Sequence, residues 1–117
     1  MALLPMSEEI PRLRSSVRVA AMVRRLELAG LAVYLRRRGD GDAGVVLVKV
    51  LRSAAEVVIW GLERGVMGEL VWQPIRSGSM TEGEAEAWFA RRLDRDPDLW
   101  LLEVEDSHGR FRTEWLG

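Results

Sequence analysis

Cysteine is absent from the 117 residues. That removes disulfides, thiolate zinc sites, iron–sulfur clusters and cysteine nucleophiles together. Histidine occurs once, so a site built on several imidazoles is excluded as well. No apolar run approaches a membrane span, and the longest are strand-sized, such as Val45-Val46-Leu47-Val48. The opening Met1-Ala2-Leu3-Leu4-Pro5-Met6 has neither a basic leader nor a long apolar stretch. No signal peptide is expected, and the cytoplasm is the expected location. Met6 is an alternative start. Lysine is nearly missing too, since sixteen of the seventeen basic residues are arginine. A GC-rich genome accounts for that bias without selection for phosphate contacts.

What is present is ordinary for a globular chain: 48% hydrophobic and 30% charged residues. A chain of this length buries roughly two thirds of its unfolded surface, enough for one real core. Residues 1–11 read as a flexible N-terminal arm and residues 12–117 as one domain. The net charge of −1 hides an uneven spread. Residues 12–38 carry eight arginines against Glu27 alone, whereas residues 81–117 carry ten carboxylates against five arginines. A local basic face is therefore open to the chain despite its near-neutral total.

Periodicity places a first helix from Ser15 or Ser16 to Gly30, with Val19, Met22, Val23 and Leu26 on its apolar stripe. Arg14, Arg18 and Arg25 fall on a neighbouring stripe. A strand over Leu31–Arg38, a turn-rich Gly39–Gly44 and a strand over Val45–Leu51 read as a hairpin. With Arg38 opposite Val45, one face carries Val33, Leu35, Arg37, Val46, Val48 and Val50. Tyr34, Arg36, Arg38, Val45, Leu47 and Lys49 take the other. A third strand covers Glu56–Trp60, and a fourth fits Glu69–Trp72 within the irregular 61–80 stretch. Thr81-Glu82-Gly83-Glu84 fits a capping box opening a second helix, which ends before Pro97. Leu99–Asp106 and Arg110–Leu116 then read as a closing hairpin, with Glu105 opposite Arg112. The expected fold is α+β: an antiparallel sheet of five to six strands with two helices packed on one face, in the order α-β-β-β-(β)-α-β-β.

Several motifs promise chemistry and give way to plainer readings. Gly39-Asp40-Gly41-Asp42-Ala43-Gly44 is a literal G-x-G-x-x-G, but a valine-rich strand follows where a phosphate site needs a helix. Asp94, Asp96 and Asp98 imitate calcium-loop spacing, yet Leu99 stands where that loop needs glycine. His108 lies near Asp106, Glu103 and Glu105, but alternation splits those carboxylates, and His108-Gly109 suits a tight turn. No metal or cofactor is expected. Trp88, Trp100 and Trp115 fall on core faces, while Trp60 and Trp72 bracket the 61–80 stretch as candidate interface anchors. Arg36, Arg38, Lys49 and Tyr34 make a basic face for phosphate or nucleic acid, with Tyr34 free to stack. Its plain alternative is a solvated face or an internal match to the acidic C-terminal half.

Two blocks of residues bring a family into view. One is Arg36-Arg37-Arg38-Gly39-Asp40, then Ala43-Gly44 and Val48-Lys49-Val50. The other is Asp96-Pro97-Asp98-Leu99-Trp100, then Glu103-Val104-Glu105-Asp106 and Gly109-Arg110. With Arg12-Leu13-Arg14-Ser15 and Ala20-Ala21, the chain resembles an uncharacterised alphaproteobacterial family, domain of unknown function 1491. The resemblance spans about residues 12–113 and implies a bacterial cytoplasmic protein, without an activity. The leading expectation is a non-catalytic interaction or assembly module acting as a homodimer. Nucleic-acid or phosphate binding through the basic face is the second, and a magnesium-dependent enzyme using Asp96 and Asp98 the third.

Overall fold

The computed structural model describes residues 14–117, so the expected arm over 1–11 lies outside the described residues. Helix α1 spans Ser15–Leu28 and buries Ser15, Val19, Met22 and Leu26. These positions recur at three and four residues, as an amphipathic helix requires. Gly30 ends the turn at φ +88°, a conformation costly for residues with a Cβ. Strands β1 (Ala32–Arg37), β2 (Val46–Ser53), β3 (Glu56–Arg64) and β4 (Leu70–Pro74) follow. After a short 3₁₀ turn come α2 (Glu82–Arg95), β5 (Trp100–Glu105) and a final 3₁₀ turn, Thr113–Leu116.

The sheet order is β1-β5-β2-β3-β4. The class is α+β, as the residue pattern implies, but three details differ. First, β5 lies between β1 and β2, so the expected hairpin of those strands does not form. β5 runs antiparallel to β1 and parallel to β2, making the sheet mixed. Second, the two helices cover opposite faces. Val46, Val48, Val50, Trp100, Leu102 and Val104 pack with α1 in one cluster. Leu47, Leu99 and Leu101 join Val57, Ile59 and Ala85 of α2 in another, with Trp88, Phe89 and Leu93 against it. Third, the chain after Asp106 turns under Gly109 and ends in the 3₁₀ turn, so no closing hairpin forms. Glu105 pairs in register with Ala32 and Leu51, not Arg112.

Coverage on both faces explains the run of buried residues Val46–Val50 and Trp100–Val104. Strands buried on both faces lose the alternation that marks a half-exposed strand. The glycine-rich 39–44 loop is the crossover that β5 passes beneath. Its Asp40 carbonyl accepts the Trp100 indole N–H at 2.7 Å, and its Asp40 N–H donates to the Asp98 carbonyl at 3.0 Å. A Cβ at Gly39 or Gly44 would stand 2.2 or 2.3 Å from that Asp98 oxygen. The same loop caps α1: Ser15 and Ser16 N–H groups donate to the Asp42 and Gly41 carbonyls. Ser15 Oγ donates to the Gly44 carbonyl instead of capping its own helix.

Candidate functional site

Lys49 and Glu103 are the charged residues among the buried stretches of β2 and β5, and the parallel register sets them side by side. Lys49 is 1% exposed. Its Nζ lies 3.2 Å from Glu103 Oε1, 2.7 Å from Glu86 Oε2 and 3.6 Å from Glu82 Oε2. Glu82 and Glu86 are one helical turn apart on α2, so both reach the same face of the sheet. Arg36 Nη1 bonds Glu103 Oε1, and its Nη2 lies 3.9 Å from Glu86 Oε1. Burial alone would lower the Lys49 pKa, but the bonds to Glu86 and Glu103 outweigh it and hold it above the ordinary lysine value. The cluster sets two cations among three carboxylates.

The four residues of the expected basic face are therefore not one open patch. Lys49 and Arg36 are engaged by α2 and β5. Tyr34 is exposed, and its O–H donates to Glu105 Oε1 at 2.9 Å. That bond, with the Glu105 charge, raises the phenol pKa. Arg38 sits on the opposite face, with its guanidinium 5.3 Å from the Trp100 ring centre. A bulge at Arg36 causes the split: two residues of β1, Leu35 to Arg37, advance against one step of β5. The alternation slips, and Arg38 leaves the face of Tyr34 and Lys49.

Trp60 and Trp72 are both half-buried against the α1 cluster. Trp60 packs on Phe111 with ring centres 6.0 Å apart, and Trp72 Nε1 donates to the Gly117 carbonyl at 3.3 Å. Asp96 Oδ1 accepts the Asp98 N–H at 3.3 Å, a helix exit. Among the described residues no group of three or more His, Asp or Glu side chains is placed to hold a metal ion. Nor is any helix among them long and apolar enough to cross a membrane.

A family model for proteins of unknown function, DUF1491, matches residues 13–113. The chain belongs to the DUF1491 family. A crystal structure of a DUF1491 protein from Caulobacter crescentus is 36% identical with a TM-score of 0.74, over 85% of this chain and 92% of that one. An NMR structure of a DUF1491 protein from the same organism gives 35% identity and a TM-score of 0.69, over 84% and 89%. Protein Atu0922 from A. tumefaciens, 23% identical over 91% and 92% with a TM-score of 0.71, shares the fold. No curated protein matches the chain.

One surface of this DUF1491 chain escaped the sequence reading. β3 runs on through Gly61 to Arg64 and pairs with β4, so residues 61–74 form a hairpin. Its tip exposes Val66 and Met67 fully, and Leu70 is about half exposed. Gly61 disguised the strand. It is buried there, with Leu47 and Ile75 side-chain carbons 3.3 Å from where a Cβ would be. The fourth strand expected over Glu69–Trp72 is present as β4, Leu70–Pro74, and forms an edge of the sheet.

Proposed function

We propose that this DUF1491 protein is a non-catalytic assembly module of the cytoplasm that pairs with a second copy through edge strand β4. The observation that carries the reading is the contrast between the sheet's two edges. β1 carries Arg36 and Arg37 and a bulge, the usual devices that keep an edge from recruiting another strand. β4 has no charged residue, only a terminal Pro74, and the exposed Val66 and Met67 stand at the tip of the hairpin that it forms with β3. An antiparallel pairing of two β4 strands about a two-fold axis is self-complementary, the usual geometry of a dimer. Trp72 lies at the middle of that edge, so the expected anchor role is kept for it, beside its packing role.

Size-exclusion chromatography with light scattering on the native protein tests this. A dimer that Leu70→Lys and Val66→Lys each convert to monomer supports it. A strict monomer at high concentration, indifferent to salt, overturns it. So does a species carrying nucleic acid that salt strips away, which would return weight to Arg36 and Arg38.

A further inference from the structure

A cleft of about 410 Å³ opens at the end of the sheet where α2 begins, with Ser53 of β2 and Glu105 of β5 in its wall. These residues are the carboxyl ends of the sheet's parallel pair. Crevices outside the carboxyl ends of parallel strands are where open sheets hold ligands. The volume falls within the range for small-molecule sites.

The charged lining divides by what each group already holds. Asp106 is engaged, since its Oδ1 accepts the Arg110 N–H at 2.7 Å and its Oδ2 the Phe111 N–H at 2.9 Å. Glu105 accepts the Tyr34 hydroxyl, and Glu82 faces Lys49. The cations hold less. Arg52 has an exposed contact of 3.9 Å to Glu56, and Arg110 donates one bond, at 3.2 Å, to the Gly30 carbonyl. His108 Nδ1 lies 3.3 Å from Ser107 Oγ, which leaves Nε2. Each guanidinium has five N–H groups, so both arginines retain donors.

Both arginine heads are seated on bare backbone. At Gly109, φ +69°, a Cβ would stand 2.8 Å from Arg52 Nη2. At Gly30, φ +88°, it would stand 3.2 Å from Arg110 Nη2. The two turns bordering the cleft thus combine a left-handed backbone with room for a guanidinium. Ser53 Oγ accepts the Ala55 N–H, and its own O–H remains a donor.

We propose that this cleft binds a small phosphorylated polyol or sugar, with Arg52 and Arg110 holding the phosphate. Planar guanidinium groups match phosphate oxygens in pairs, and Ser53 and one member of the hydrogen-bonded Ser107–His108 pair add further donors. Among the described residues no Trp, Tyr or Phe lines the cleft, so a nucleobase would find no large aromatic ring to stack on. The carboxylates of Glu82 and Glu105 repel a second phosphate but accept hydroxyl groups, which favours a hydroxylated skeleton carrying one phosphate. This site lies apart from β4, and its occupancy does not depend on self-association.

Titration of the full chain with inorganic phosphate, glycerol phosphate and glycerol, followed by heteronuclear NMR, decides it. Saturable shifts are expected at Ser53, Ser107, His108, Gly109 and Arg110, with glycerol phosphate tighter than phosphate and glycerol inert. Arg52→Gln and Arg110→Gln, each with its fold checked by melting, should weaken binding by about tenfold or more. Arg91→Gln, exposed on α2 outside the cleft, should leave it unchanged. The site is overturned by absence of saturable shifts, by equal affinity for the two phosphates, or by equal weakening in Arg91→Gln.

Discussion

Lys49 shows how one charged side chain decides what a face of the sheet can do. Its ammonium is enclosed by Glu82, Glu86 and Glu103, so its removal leaves the buried Glu103 facing two further carboxylates with Arg36 as the remaining cation. Breaking a buried ion pair from one side costs about 3–5 kcal/mol, more than the intact pair contributes over an apolar substitute. Lys49→Met should therefore lower stability in urea unfolding by about 3 kcal/mol, and adding Glu103→Leu should recover much of the loss. A double variant as unstable as the sum of its parts would contradict this account. The pH dependence has a definite sign. The Lys49 pKa is higher folded than unfolded, so its contribution is complete below the unfolded value, about 10.4, and fades as pH rises through the folded value. Tyr34, also raised, acts in the same alkaline window. In a Tyr34→Phe background, wild-type Lys49 should lose stability above that pH faster than Lys49→Met does.

At the scale of elements, the junction of the 39–44 loop with β5 is the least forgiving place in the fold. Gly44 is buried, its Cβ position lies 2.3 Å from the Asp98 carbonyl, and the neighbouring atoms include backbone that cannot swing aside. Gly44→Ala should cost about 1–3 kcal/mol through overpacking, whereas Gly41→Ala in the same loop, with nothing within 4 Å, should be near neutral. Equal melting temperatures for the two variants would refute this reading of the loop. Local elements were legible because their signals are local. The α1 stripe, the Thr81–Glu84 capping box and the turn at Gly109 all follow from residues within a few positions. Even the two-face sorting of Tyr34 and Lys49 against Val33, Leu35, Val46 and Val48 holds, because alternation does not depend on which strand is the neighbour. Pairing was not legible, since β1–β5 and β2–β5 contacts join residues far apart in sequence. The bulge at Arg36 left no local mark, so the expected cluster kept Arg38 on the wrong face. The cue that was present and went unread is the lone lysine in Val-Leu-Val-Lys-Val and the lone glutamate in Trp-Leu-Leu-Glu-Val. Two charges in two doubly buried runs need each other.

For the whole molecule, β5 is the piece that makes two half-cores one fold. Trp100, Leu102 and Val104 fill the α1 side, Leu99 and Leu101 fill the α2 side, and Glu103 completes the Lys49 cluster. Among the described residues, β1 has no sheet partner other than β5. The C-terminal 3₁₀ turn adds Leu116 to the α1 cluster, and Arg25 donates to the Trp115 and Leu116 carbonyls at 3.0 Å. Folding therefore waits on contacts that span most of the chain, which makes it slower than a local hairpin order would allow. A chain ending at Arg95 keeps α1, β1, the β2–β3–β4 meander and α2, but it loses the strand that joins them. We expect it to show no cooperative thermal transition, while the same truncation supplied with residues 96–117 as a separate peptide should regain one. A sharp transition in the truncated chain alone would mean that β1 can pair with β2 directly. The hairpin implied by the sequence would then be an accessible alternative that β5 displaces.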